Sequence, residues 1–313
     1  MSQKVFITGI SGFVGAGLAR YLLELGYEVH GMVRTTSNLW RLLDIKNSIH
    51  LHEGDLLNDR SVTDTLNVVR PDVIFHFGVY GAYSTQKDAD IILSTSILST
   101  MHLLRSAKEV GVKMFVNAGS SSEYGTKDHP MREDERIDPN SYYAVGKSAQ
   151  THLCQHFART EKFPVVTLRF FSVYGPFEEP GRLVPSVILN AFEDKDISLA
   201  DRKIARDFIY LDDVIKACVL ASQKPELSGE VFNLGTGVQH TLGELADVVI
   251  AHTGTQSKVV TGAYEQRSFD THIWVADMQK TASLLGFTAT DSFDNGVKKS
   301  IDWYKQHADL YKK

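Results

Sequence analysis

A short apolar run, followed at once by a glycine-rich turn and then a helical pattern, constrains this chain more than any other segment. Lys4–Thr8 reads KVFIT and residues 8–15 read TGISGFVG. Apolar residues then recur at helical spacing from Val14 to Leu25, and Gly26 ends the pattern. Glycines alone punctuate many loops, but a turn that leaves a buried strand and opens a helix is the setting of a dinucleotide site. Gly9 permits the tight turn, Gly12 lets a pyrophosphate approach the backbone, and Gly15 allows close helix–sheet packing. The N–H groups and dipole at the helix start stabilise the negative charge. Gly9, Ser11, Gly12, Phe13, Val14 and Gly15 are therefore expected to hold a cofactor.

The same alternation continues. Strands are expected at Glu28–Val33, Ile49–Glu53, Val73–Phe77, Met114–Asn117 and Val165–Arg169, with helical patterns between most of them. Strands alternating with helices build βαβ units with right-handed crossovers, which predicts an α/β fold with a doubly wound parallel Rossmann sheet. Beyond Arg169 the pattern changes. Gly175-Pro176, Glu179-Pro180-Gly181 and Pro185 break regularity, and the remainder mixes short strands and helices. The expected division is a cofactor-binding domain over 1–175 with a returning segment around 207–235, and a smaller mixed α/β substrate-binding lobe from 176–206 and 236–313. That lobe covers the carboxyl ends of the strands, where ligands bind in such sheets.

Composition narrows the partners. A formal net charge of -5 gives no global attraction to nucleic acid or an anionic membrane. No run approaches the roughly 20 consecutive apolar residues that span a bilayer. The first residues lack a basic stretch with a cleavage site, and the cysteines Cys154 and Cys218 read as buried free thiols, so the cytoplasm is the expected compartment.

At the end of the second strand a cofactor with a free 2′-hydroxyl would meet an acidic residue. The sequence has Met32-Val33-Arg34-Thr35-Thr36-Ser37-Asn38 there, with Arg41 beyond. A guanidinium matches the oxygens of a 2′-phosphate, so Arg34 and Asn38 favour NADP, with NAD as the alternative if Arg34 only stacks on adenine or faces water. Asp55 and Leu56 are expected at the adenine edge and Phe77 also against the cofactor. Tyr143 and Lys147 are four residues apart at the start of a helical pattern, which puts them on one face. A phenol of pKa about 10 is a poor acid–base group at neutral pH, and a nearby ammonium favours its phenolate. The lysine can also donate to the nicotinamide ribose. Ser120, Ser121 and Ser122 follow the fifth strand, where a hydroxyl can bond a substrate oxygen or merely satisfy a turn.

TGISGFVG, FVNAGSSSEYG, YAVGK, RFFSVYGP, RDFIYLDDV and FNLGTG together resemble the extended short-chain dehydrogenase/reductase family of sugar-nucleotide epimerases, dehydratases, decarboxylases and 4-keto-reductases. The resemblance implies an enzyme on a nucleotide-diphosphate sugar, commonly a homodimer through the Tyr143/Lys147 helix. It implies Ser120, Tyr143 and Lys147 as the catalytic triad and Arg206 as the clamp on the substrate diphosphate. Ser172 stands where many members have an asparagine touching the sugar nucleotide, and His76-Phe77-Gly78-Val79 replaces the usual His-Leu-Ala-Ala. Ser84, Ser121, Ser122, Arg182 and Arg267 are further substrate candidates, with Tyr83 and His240 near them. No metal is expected, because His152 and His156 lack the glutamate of a zincin helix. Asp212-Asp213 is read as the cap of a helix beginning near Val214.

The reaction is narrowed by what is missing. The strand-five run of the family's dehydratases resembles STDEVYG, and Ser121 and Ser122 stand where its two carboxylates would be, with Glu123 one place later. The run GSSSEYG is instead similar to the GSSEEYG-type run of GDP-4-keto-6-deoxymannose reductases. The expected reaction is NADPH-dependent reduction of a nucleotide-linked 4-keto-6-deoxyhexose at C4, with the proton from Tyr143. An NAD-dependent 4-epimerase using the same triad stays open beside it; a 4,6-dehydratase or decarboxylase is disfavoured.

Overall fold

Runs that are apolar on both faces form strands buried on both sides, and the first half of the chain is built from them. The protein is described by a computed structural model over residues 3–83, 85–262 and 271–311. Its strands are β1 Lys4–Thr8, β2 Glu28–Val33, β3 His50–Glu53, β4 Val73–His76, β5 Met114–Ser120, β6 Val165–Phe170 and β7 Ser172–Tyr174. They continue with β8 Ile197–Leu199, β9 Ala205–Arg206, β10 Phe208–Tyr210, β11 Val231–Leu234, β12 His240–Thr241 and β13 Val259–Thr261. The helices are α1 Phe13–Glu24, α2 Asp59–Val69, α3 Ala89–Val110, α4 Tyr142–Thr160, α5 Leu183–Phe192, α6 Leu211–Ser222, α7 Leu242–Thr253 and α8 Phe293–Gln306. Among the described residues none is long and apolar enough to cross a membrane.

The main sheet runs in the order β11-β6-β5-β4-β1-β2-β3, with every pairing parallel. The α/β doubly wound fold is as expected. The chain reverses its direction of winding between β1 and β4, whose ends are in register at Thr8 and His76. Beyond the carboxyl ends at such a reversal is the usual place for a ligand. Helices α1 and α6 pack on one face, with Leu18, Leu22, Val214 and Cys218 against Val5, Val116 and Phe232. Helices α2, α3 and α4 cover the other, through Val62, Leu66, Leu103, Cys154 and Phe157. Cys154 and Cys218 are buried, free thiols.

A second core joins α5, α7 and α8 to the short strands, with Ile188, Leu199, Phe208, Leu245, Val249 and Ile301 at its centre. Pro185 does not break structure as the sequence suggests. It lies in the first turn of α5, where its missing N–H has no intrahelical partner to lose. Asp213 also differs from expectation. Helix α6 starts at Leu211, so Asp213 sits inside the first turn rather than at the cap. Its buried carboxylate takes the N–H groups of Thr290 and Asp291 and the Thr290 hydroxyl.

Candidate active site

The turn after β1 is made of backbone because side chains do not fit. Gly9 has φ +70°, and a Cβ there would lie 2.8 Å from the backbone of Phe77 and Gly78. A Cβ on Gly15 would lie 2.3 Å from the Gly9 carbonyl oxygen, so this glycine lets α1 close on the turn itself as well as on the sheet. Gly12 caps α1 with no side-chain cap, and its N–H donates to the Gly9 carbonyl at 2.9 Å. This is the shape of an anion cradle at a helix N-terminus, and residues 9–15 fit the pyrophosphate of a dinucleotide. The cradle is braced from β4. Thr8 Oγ1 bonds His76 Nδ1 at 2.7 Å and accepts the Gly78 N–H at 3.1 Å. Burial pushes the His76 imidazole down to about 3, so it braces as a neutral ring. Gly78 is glycine for a local reason: a Cβ would lie 2.6 Å from Leu56 Cδ1.

Two arginines follow β2, and they differ. Arg41 is buried, donating to the Phe177 carbonyl and to Glu179 at 2.7 Å each. Arg34 is exposed at the strand end, and among the described residues its guanidinium has no hydrogen bond or ion pair. Asn38 Oδ1 accepts from Trp40 N–H and Asp55 Oδ1 from Leu57 N–H, so each is partly engaged in its own turn.

At the end of β5 the site is made of side chains. Ser120 caps a short 3-10 turn, Ser121–Tyr124, in a reciprocal capping box with Glu123. Its hydroxyl lies 2.8 Å from that of Ser122. Ser141 caps α4 by accepting the Ala144 N–H, which sets the helix turn carrying Tyr143. Burial raises the Tyr143 phenol, while a hydrogen bond to Ser120 and the charge of Arg182 pull it back. The ammonium of Lys147 is buried beneath, donating to the Ala118 carbonyl at 2.8 Å and Gln150 Oε1 at 3.0 Å. Burial brings its pKa down to about 8. Relief of the phenol thus comes first from Ser120, not from Lys147 as the spacing suggests. Gln150 donates in turn to Asn117 Oδ1 at 2.7 Å.

Glu123 resolves the question its position raises. It is fully buried, accepting the Ser120 N–H at 2.8 Å and the Nε of Arg169 at 2.9 Å. It faces the interior. Ser121 is likewise buried, and its hydroxyl accepts the indole N–H of Trp274 at 3.1 Å. The Arg206 guanidinium lies 5.4 Å from the Trp274 ring centre. Asp207, beside it, is buried and holds Thr236, Gly237 and Ala276 by their N–H groups. Arg182 reaches across to the Ala82 carbonyl at 3.2 Å, close to Tyr83. Ser172 begins β7, and its N–H donates to the Asp207 carbonyl. His240 stacks on Phe293, and Ser84 and Arg267 lie outside the described residues.

This geometry, a backbone cradle at one strand end and a serine–tyrosine–lysine group at another, agrees with the similarities of the whole chain. The model of the NAD dependent epimerase/dehydratase family matches residues 5–235. The chain belongs to that family. It is an enzyme of the extended short-chain type. A UDP-glucuronate 4-epimerase of Thermodesulfobacterium geofontis is 27% identical over 318 residues, covering 98% of this chain and 97% of that protein. A UDP-N-acetyl-alpha-D-glucosaminuronate decarboxylase of Bacillus cytotoxicus is 26% identical, covering 98% and 99%. Among solved structures, the UDP-glucuronic acid 4-epimerase of Bacillus cereus, in complex with UDP-glucuronic acid and NAD, superposes with a TM-score of 0.87. It is 28% identical and covers 97% of this chain and 100% of its own.

Within this family member, sequence reasoning missed Arg169, Asn117, Gln150 and Trp274. Arg169 and Asn117 carried a weak signal, each a polar residue inside an apolar strand run. Trp274 carried none, because its partner Ser121 is distant in the chain; Gln150 is three residues from Lys147 on the same helix, but its link to Asn117 shows only in the fold.

Proposed function

We propose that this enzyme reduces a nucleotide-linked 4-keto-6-deoxyhexose at C4, using NADPH. Arg34 carries the reading. Its guanidinium, without a partner among the described residues, stands at the end of β2 within reach of a 2′-phosphate, where a cofactor with a bare 2′-hydroxyl would call for a carboxylate. When bound, the reduced dinucleotide supplies the hydride to C4. The Ser120 hydroxyl orients the C4 oxygen, Tyr143 donates its phenolic proton to it, the Lys147 ammonium holds the ribose, and Ser120 with the charge of Arg182 offsets the burial of the phenolate left behind. The raised phenol suits this direction of reaction, since it keeps Tyr143 protonated at neutral pH. The inward turn of Glu123 argues against dehydration, which needs a carboxylate beside the tyrosine.

Arg206 clamps the substrate diphosphate in this reading, with Arg182, Ser122 and Ser172 lining the sugar end. Exposed Ile91 and Leu98 on α3, with Tyr142 and Val145 on α4, support a homodimer through these helices. The buried thiols support a reducing, cytoplasmic setting.

The test is incubation with 4-keto-6-deoxy sugar nucleotides of different bases, with NADPH or NADH. Stoichiometric oxidation of NADPH is expected, and Arg34→Ala should cut the NADPH preference by about tenfold through loss of a charge-assisted contact. The second reading, an NAD-dependent 4-epimerase, is favoured by the 4-epimerases among the similar proteins, the two named above included. Tightly held NAD with interconversion of C4 epimers and no net consumption would establish it over the reductase.

A further inference from the structure

The far end of the sheet carries a cluster that the proposed reaction does not use. Glu28 and His30 are two apart on β2 and so project from one face. The register of β2 against β3 sets His50 directly opposite His30. One ligand atom from each of Glu28, His30 and His50 falls within 4.8 Å of the others. The imidazoles of His30 and His50 stack at 4.7 Å, and His30 Nε2 lies 2.9 Å from Glu28 Oε1.

We propose that these three residues form a binding site for a divalent transition-metal ion of the zinc class. Nitrogen and carboxylate ligands at about 2.1 Å from Zn²⁺ stand about 3.4 Å apart in a tetrahedron, so the His30–Glu28 pair at 2.9 Å opens slightly to admit the ion while pairs near the 4.8 Å limit draw in. A water completes the shell. The outer shell is already present. His30 Nδ1 lies 3.0 Å from His52 Nε2. With the Nδ1 proton donated to His52, the Nε2 lone pair of His30 is free for a metal, the arrangement that fixes the tautomer of metal-bound histidines. In the metal-free protein the alternative tautomers serve, His52 donating to His30 and His30 to Glu28. Exchange between the two sets shifts protons along the rings and releases none. Imidazole and carboxylate together suit Zn²⁺, Ni²⁺ or Cu²⁺ better than Ca²⁺ or Mg²⁺. One group opposes the ion: the ammonium of Lys4, 3.6 Å from Glu28 Oε1.

Protein stripped with a chelator is titrated with Zn²⁺ against a chromophoric competitor, and with Co²⁺ for its visible spectrum. One ion per chain is expected. His50 is exposed, so His50→Ala leaves the fold intact and should weaken binding by at least about tenfold, as should Glu28→Gln. His52→Ala should weaken it by about tenfold through the outer shell, and Lys4→Ala should tighten it. No saturable binding by the native chain, or undiminished affinity in both His50→Ala and Glu28→Gln, overturns the site.

Discussion

The turn after β1 and the turn after β5 stand at neighbouring regions of one sheet edge, yet they are made in opposite ways. The first is backbone: glycines admit a close approach of chain to chain, and no side chain caps the helix. The second is side chains: a serine cap, a buried glutamate and an arginine from the adjoining strand. A backbone turn offers generic N–H donors and suits a ligand part shared by many enzymes. A side-chain turn can be re-aimed by one substitution, and so suits the part where reactions diverge.

The sharpest way to test the side-chain half is Tyr143→Phe. If this phenol is the proton donor, turnover should fall by about 10²–10⁴-fold while the melting temperature changes little; unchanged turnover removes Tyr143 from that role. Glu123→Gln is next. It leaves Arg169 charged and unpaired in the core, and breaking a buried pair from one side costs about 3–5 kcal/mol, measurable by urea unfolding. If the pair only aims the Ser120 turn, replacing both partners with apolar residues should restore stability but not turnover. The backbone half is tested by Gly15→Ala. Its methyl would press on the Gly9 carbonyl, and such overpacking costs about 1–3 kcal/mol. The loss should show chiefly as weaker cofactor binding in calorimetry, with the unfolding midpoint falling less.

The smallest effect is in pH. Lys147 is protonated below about 8 and neutral above it. The reduction rate should therefore fall as pH rises through 8, and Lys147→Arg should remove that limb of the profile. Stability should move the opposite way. Between pH 8 and the ordinary lysine range the unfolded chain binds the proton that the folded chain has released, so this group makes folding more favourable as pH rises.

Much of this contrast was legible in the sequence, but unevenly. The order of strands, the glycine turn and the Tyr143/Lys147 face are local patterns, and KVFIT and EVHGMV mark β1 and β2 to the residue. The direction of Glu123 was not legible, because it is decided by Arg169 on another strand. Ser121 looked like part of a serine-rich site and belongs to Trp274, whose position depends on a segment far along the chain. Pro185 read as a breaker since a proline at a helix start and one in a loop look alike without the fold around them. The cross-strand pairing of His30 with His50 requires the register, which no local pattern states.

Asp207 and Asp213 have a consequence for modularity. Among the described residues, every N–H that their buried carboxylates accept comes from residues 236–291: Thr236, Gly237 and Ala276 for one, Thr290 and Asp291 for the other. The family match ends at residue 235. A polypeptide cut there would keep the whole main sheet and still leave two carboxylates stripped of their partners against an apolar core. What looks like a transplantable cofactor module is thus finished by the tail that follows it. Exchanging that tail wholesale would strip both carboxylates of these partners at once.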